Sequence, residues 1–305
     1  MQQDETTRLP TELPSAKGRC AVCGCDNLIF RFQVDGQPIS RCSGCGVLIS
    51  PVTNGGQETY GRAYYESDRT KGGYANYFAA AHINRLTFSR RLNEIEVQLG
   101  RRGSILDAGC ALGDFLLVAR EQGWQTVGLE VSPYASAFAR DERHLEVQTG
   151  RIEEASFPEN SLDAIALYDV VEHLQDPVAS LRRLACWLRS DGLLHVVTPN
   201  VQARSSRLMG RRWYHYKPGE HIYYFSPATL REALGRAGFT QVKVEPVRSA
   251  LTLGFVLDRL RYYQPQLAKL ALGLAGTLAV RDVMFFAHVG EMQAWARKGK
   301  DRSGG

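Results

Sequence analysis

The sequence has no uninterrupted apolar run of the ~18 residues that a membrane-spanning helix needs. Its first residues, Met1-Gln-Gln-Asp-Glu5, are polar and acidic, without the apolar stretch of a secretion signal. These lacks set the expectation of a cytoplasmic protein. They leave one route to a membrane, peripheral contact with its inner face through the mostly apolar, basic-flanked segment 259–281, which carries Leu267, Leu270, Leu274 and Leu278 at helical spacing. Charge imbalance is also missing. A net +5 over 305 residues permits a phosphate-bearing partner but does not call for nucleic acid. Cysteine is scarce outside one segment, where only Cys110 and Cys186 occur, and both read as small core residues.

Five of the seven cysteines lie between Cys20 and Cys45. Four form Cys20-x2-Cys23 and Cys42-x2-Cys45, eighteen residues apart, with a glycine after each pair. Two such knuckles aim four thiolates at one tetrahedral ion, and Leu28–Val34, Asp35-Gly36 and Ile39–Arg41 read as the hairpin between them. The expected site is therefore structural zinc in a ribbon at residues 18–50, with Cys25 spare or able to exchange with Cys23. A disulfide framework would need an oxidising compartment. Residues 1–17 are expected to be a disordered tail.

The run Ile105-Leu-Asp-Ala-Gly-Cys-Ala-Leu-Gly-Asp-Phe115, answered by Glu130, reads as a buried strand, a glycine turn and a helix start. The third glycine of a dinucleotide fingerprint is lacking. An acid at the strand tip suits an ammonium better than a pyrophosphate, and Glu130 suits a ribose diol. The segment resembles motif I of the class I S-adenosylmethionine-dependent methyltransferases, with alanine at 111 where a glycine commonly stands. Further along, Phe157–Asp163, Asp169–Leu174, Gly192–Asn200, Glu220–Ser226, Ala237–Phe239 and Gly290–Lys298 follow that family's order, in its ubiquinone-pathway-like subgroup. The resemblance implies an α/β fold: a doubly wound, seven-stranded Rossmann-like sheet behind a small N-terminal zinc ribbon. It implies S-adenosylmethionine held by Asp107, Gly109, Cys110, Ala111, Gly113 and Glu130, with Ile152, Tyr168 and Asp169. Gly150-Arg151-Ile152 stands where the family often has an acid, so adenine falls to backbone near Ile152.

Strands are expected at 104–108, 125–130, 145–149, 164–168, 193–198, 241–247 and 291–296, with helices at 74–99, 115–122, 133–140, 177–189 and 227–237. The division is a connector and helix at 51–100, a catalytic core at 101–250 with an acceptor-side loop at 200–225, and an apolar helix and last strand at 251–305. The aromatic cluster from Tyr60 to Phe78 reads first as packing between the two modules.

Methyl transfer needs alignment and, for a hydroxyl acceptor, removal of a proton. Asp169, Glu172, His173 and His221 are the candidates. As one set they offer oxygen and nitrogen ligands to Mg2+ or Mn2+ and resemble the metal site of small-RNA 2′-O-methyltransferases, with aspartate in place of the first glutamate. As separate residues, His173 or His221 is a metal-free general base. Arg204, Arg207, Arg211, Arg212 and Lys217 form either a solvated loop or a lid that grips an anionic group on the acceptor. The leading expectation is a methyltransferase for a small molecule such as a sugar, glycan precursor or secondary metabolite. An RNA methyltransferase and a silent donor-binding scaffold are the alternatives, and the oligomeric state stays open.

Overall fold

The computed structural model describes residues 19–51, 60–66, 77–260 and 264–299. The expected tail at 1–17 and Tyr74 lie outside the described residues. At the N-terminus β1 (Leu28–Val34) and β2 (Gln37–Cys42) form the expected antiparallel hairpin, and β3 (Leu48–Ile49) adds to β2. Sequence reading missed the next step: β3 also pairs with β9 (Tyr223–Tyr224), from a segment some 170 residues away, making a four-stranded sheet. Only tertiary contact reveals a two-residue strand of this kind.

After α1 (Arg62–Glu66) and α2 (Tyr77–Leu99) the chain alternates strands and helices. These are β4 (Ser104–Ala108), α3 (Asp114–Glu121), β5 (Gln125–Glu130), α4 (Pro133–Asp141), β6 (Val147–Thr149) and β7 (Leu162–Tyr168). Then come α5 (Pro177–Trp187), β8 (Leu188–Pro199), α6 (Arg204–Met209), β9, α7 (Pro227–Arg236) and β10 (Phe239–Pro246). The C-terminal part holds β11 (Ser249–Thr252), α8 (Leu253–Leu260), α9 (Pro265–Thr277), β12 (Met284–Ala287) and β13 (Glu291–Lys298). The main sheet runs β10-β13-β8-β7-β4-β5-β6, with β13 antiparallel between β8 and β10. It is the expected doubly wound, seven-stranded Rossmann-like sheet.

Helix starts follow local chemistry. Ser132, Asp176 and Ser226 each accept a backbone N–H from the first turn, ahead of a proline at the first helical position. The departures are also local. The third strand starts at Val147 rather than Leu145, because the Leu145 N–H closes α4 on Ala139 O (3.1 Å). Asp191-Gly192 is not a turn between elements. It sits in an irregular excursion of β8, where Leu188 pairs with Leu162 and Leu193 with Ala164. Cys186 corrects another expectation: it is exposed, because α5 turns its neighbours Ala185 and Trp187 into the core. Cys110 is buried as expected. Among the described residues no helix is long and apolar enough to cross a membrane.

Candidate functional site

At the carboxyl ends of β4, β5 and β7 the sheet opens into a cavity of about 800 Å³. Its first half is built from one stretch of chain. Gly109 takes φ 94°, and a Cβ there would stand 2.3 Å from Val170 Cγ2. Gly113 does not line the cavity. At φ 86° it starts α3, and a Cβ would meet Leu145 Cδ1 at 2.5 Å. Ala111 holds a left-handed φ of 48° without being glycine. Glu130 is buried, and each of its oxygens accepts one backbone N–H: Oε2 from Ala111 and Oε1 from Ser132, both at 2.8 Å. Each oxygen keeps a second lone pair for a ligand hydroxyl. Burial, with Glu130 close by, pushes the Asp107 carboxyl up to about 8. A cationic ligand at that end would restore its charge. Cys110, Ile152 and Tyr168 line the same half.

The second half gathers residues from across the chain. Asp169, Glu172, His173 and His221 all line it, so the structure brings the four expected residues to one wall. Glu172 Oε2 accepts from Thr198 Oγ1 (2.9 Å), while its buried Oε1 has no hydrogen-bond partner. His221 is 3% exposed, and its Nδ1 is also without one. The His173 Nδ1–H donates to Glu220 O (2.9 Å), which leaves the Nε2 lone pair available, and the two imidazoles stand edge to face at 4.7 Å. Burial lowers His173 to about 4 and pushes His221 well below its ordinary value, so both rings are neutral at physiological pH. Burial raises Glu172, with Asp169 adding repulsion.

Ligand atoms of Glu172, His173 and His221 lie within 4.8 Å of one another. Asp169 does not join this group. Its left-handed backbone (φ 54°) breaks the helical spacing that would align it with Glu172, and Arg91 and Lys217 are the cations that favour its charged form. Neutral imidazoles beside a carboxylate oxygen that lacks a donor are a fitting ligand set for a divalent cation.

Several lining residues escaped the sequence reading. Arg91, from α2, is 5% exposed with an unpartnered Nε, and its guanidinium sits 4.6 Å from the Tyr168 ring centre. Burial, with Asp169 adding repulsion, raises Glu291 to about 7. Neither carries a motif. Tyr60, Tyr64 and Tyr65 line the cavity and also pack in a cluster with Leu112 and Ala135. Tyr60 O accepts from Ser132 Oγ (2.5 Å) and its hydroxyl lies 3.2 Å from His173 Nδ1, so this one residue spans both halves. Of the five basic residues in the 204–217 segment only Lys217 lines the cavity, and Arg211 lies instead over the ring of Phe32.

The cysteine cluster lies apart. The Sγ atoms of Cys20 and Cys45 are 3.7 Å apart and those of Cys23 and Cys42 3.5 Å. All four fall within 4.8 Å of one another. Zn–S bonds of about 2.3 Å in a tetrahedron place sulfurs about 3.8 Å apart, so these thiols fit a single ion. Cys25 is outside the set, facing Ser43 Oγ (3.4 Å).

Residues 75–244, more than half of the sequence, match the family model described as a methyltransferase domain. The chain belongs to that methyltransferase family. A probable S-adenosylmethionine-dependent methyltransferase of Mycobacterium tuberculosis is 35% identical over 101 residues, covering 32% of this chain and 35% of that protein. The malonyl-[acyl-carrier protein] O-methyltransferase of Serratia marcescens is 28% identical over 155 residues, covering 50% and 59%. The chain thus spans about a third to three fifths of the length of these relatives. In fold, it is similar to a SAM-dependent methyltransferase from Archaeoglobus fulgidus, with a TM-score of 0.50 at 19% identity over 73% of this chain and 99% of that one.

Proposed function

We propose that this member of the methyltransferase family moves a methyl group from S-adenosylmethionine to a small-molecule acceptor. One observation carries the reading: a single cavity has Asp107, the backbone-bonded Glu130 and the close-approach Gly109 at one end and unpartnered Glu172 Oε1 and His221 Nδ1 at the other. Both named relatives are methyltransferases, which supports the reaction class.

In this reading Asp107 meets the donor's ammonium, Glu130 accepts from its ribose hydroxyls, and backbone at Gly150–Ile152 borders the adenine. Arg91 supplies positive charge beside Asp107. The acceptor lies between Tyr60 and the Glu172–His221 wall. Its nucleophilic atom bonds to the methyl carbon as the carbon–sulfur bond breaks, and sulfur keeps the electron pair. A hydroxyl acceptor loses its proton to His173 Nε2, because the Nδ1–H is held by Glu220 O. In the alternative, metal-bound reading Glu172 Oε1, His173 and His221 would hold Mg2+ or Mn2+; His173 would then be a ligand and not the base, and such an ion would lower the pKa of a bound hydroxyl. The cysteine tetrad holds Zn2+, with all four positions filled by protein, and so acts in folding. The proposed acceptor class is a sugar, glycan precursor or secondary metabolite. The proposed units are a ribbon at 18–50, a connector at 51–100, a core at 101–250 and a C-terminal unit beyond.

Calorimetry with S-adenosylhomocysteine and turnover of labelled donor against fractionated metabolites test this together. His173→Ala should lower turnover by about 10²- to 10⁴-fold while leaving donor affinity within about twofold. Glu130→Ala should weaken the donor itself. Unchanged turnover in His173→Ala would overturn the assignment of the base.

A further inference from the structure

The cavity continues past Arg91 and Glu291 into a third region with apolar walls. Ile83, Leu251, Phe255, Val256, Leu257 and Leu260 line it, the last four from α8. α9 packs on α8 through its small-residue side, burying Ala268, Leu272 and Ala275. Its bulky side faces solvent: Leu267, Leu270, Leu274 and Leu278 are between 57% and 68% exposed. Spacings of three, four and four residues put them on one helical face. Val283, Met284, Phe285 and Phe286, in and before β12, are exposed as well. A water-facing helix normally shows the opposite arrangement, with its large apolar residues inward.

Two further features say what covers this face. The α9 helix has one charged residue, Lys269, and no acid. From Pro246 to His288 the chain carries five Lys or Arg against two Asp. An apolar face in a segment of net positive charge matches an anionic bilayer, and two copies brought face to face would bring like charges together. Secondly, α8 supplies four residues to the cavity's apolar end and packs on α9, so this one helix joins that end to the element that carries the outer apolar face.

We propose that α8, α9 and β12 rest on an anionic lipid surface, and that the acceptor is an amphiphile drawn from it. The amphiphile's polar end reaches the Glu172–His173 wall and its apolar chain fills the end lined by α8. The acceptor half of this inference rests on the methyl-transfer reading; the lipid contact does not.

The test uses the full chain with vesicles of phosphatidylcholine plus phosphatidylglycerol, and of phosphatidylcholine alone. The protein should sediment with the anionic vesicles. The double variant Leu270→Glu/Leu274→Glu should bind them at least about tenfold more weakly while keeping the wild-type affinity for S-adenosylhomocysteine. A dansyl-labelled undecanoate should bind the wild type, and Leu257→Trp, which fills the apolar end, should weaken it by about tenfold. The proposal falls if wild-type protein ignores anionic vesicles. It also falls if the protein is a dimer that the double variant splits, since a second copy then covers the face. Unchanged probe affinity in Leu257→Trp overturns the amphiphile part. Loss of S-adenosylhomocysteine binding by the wild type would instead sink the methyl-transfer reading and leave the vesicle result standing.

Discussion

The two halves of the cavity are made in different ways. On the proposed donor side, Asp107 to Glu130 is one strand–turn–helix–strand unit, and Glu130 is tied down by backbone N–H groups of Ala111 and Ser132. The opposite wall draws on α2, the turn after β7, the loop before β9 and the start of β13, and leaves Glu172 Oε1 and His221 Nδ1 unpartnered. A half whose hydrogen bonds are closed can be rigid and recur in many relatives. A half with open valences on buried atoms stores binding capacity for whatever enters. The ribbon is tied to the second half by backbone hydrogen bonds. Ser50 N–H donates to Ile222 O, and Ile222 N–H donates to Glu172 O, both at 2.9 Å, so the cysteine module is two hydrogen bonds from the proposed acceptor wall.

The strongest way to break this comparison is Gly109→Val. A Cβ 2.3 Å from Val170, at a positive φ, should lower donor affinity by more than about 100-fold in calorimetry. Normal affinity would show that the turn does not approach the donor. A smaller effect separates the halves through the proposed zinc site: Cys42→Ser, or treatment with a chelator, should cut turnover by about tenfold or more. Donor affinity should stay within about threefold, because the ribbon's β3 and β9 contacts lead to Glu172 and His221 and not to Glu130. Equal loss on both sides would erase the distinction. Ala111→Gly should raise stability by about 1 kcal/mol in denaturant titration, since a left-handed φ of 48° costs alanine what glycine avoids.

The mildest test concerns the residues packed behind the cavity-lining Tyr168. His195 is stacked on Trp295 at 3.7 Å and hydrogen-bonded to Tyr168 (2.9 Å), and burial lowers it from 6.5 to about 3. The unfolded chain takes up the proton below 6.5 while the folded one refuses it, so acid favours unfolding between those values. Wild type should therefore lose more stability than His195→Phe when the pH falls from about 7 to about 5, read from denaturant midpoints. Parallel loss in the two proteins would assign the acid sensitivity elsewhere.

Much of the fold was legible because its signals are local. Ser132-Pro133, Asp176-Pro177 and Ser226-Pro227 each announce a helix within two residues, and β4, β5 and β7 are short apolar runs that end at turns. The boundary errors at Leu145 and Asp191 arose where one hydrogen bond or one register irregularity decides. For the candidate site, Asp107 and Glu130 are readable because strand, turn and spacing constrain them together. Arg91 looks in sequence like any helical arginine, and Glu291 like any acid at the start of a strand. Tyr60 read as packing because an isolated tyrosine carries no address.

By itself the sequence determined the doubly wound sheet, the four-cysteine knuckles and the glycine turn. Each depends on neighbours along the chain, where residue type, periodicity and spacing act over a few bonds. Only the tertiary structure decided which distant groups face one another: Tyr60 with Ser132 and His173, β3 with β9, and Arg91 with Tyr168. It also decided that α9 buries Ala268, Leu272 and Ala275 and shows Leu267, Leu270 and Leu274. Helical spacing tells that four leucines share a face. Whether that face meets the core or the solvent depends on what packs against the other side.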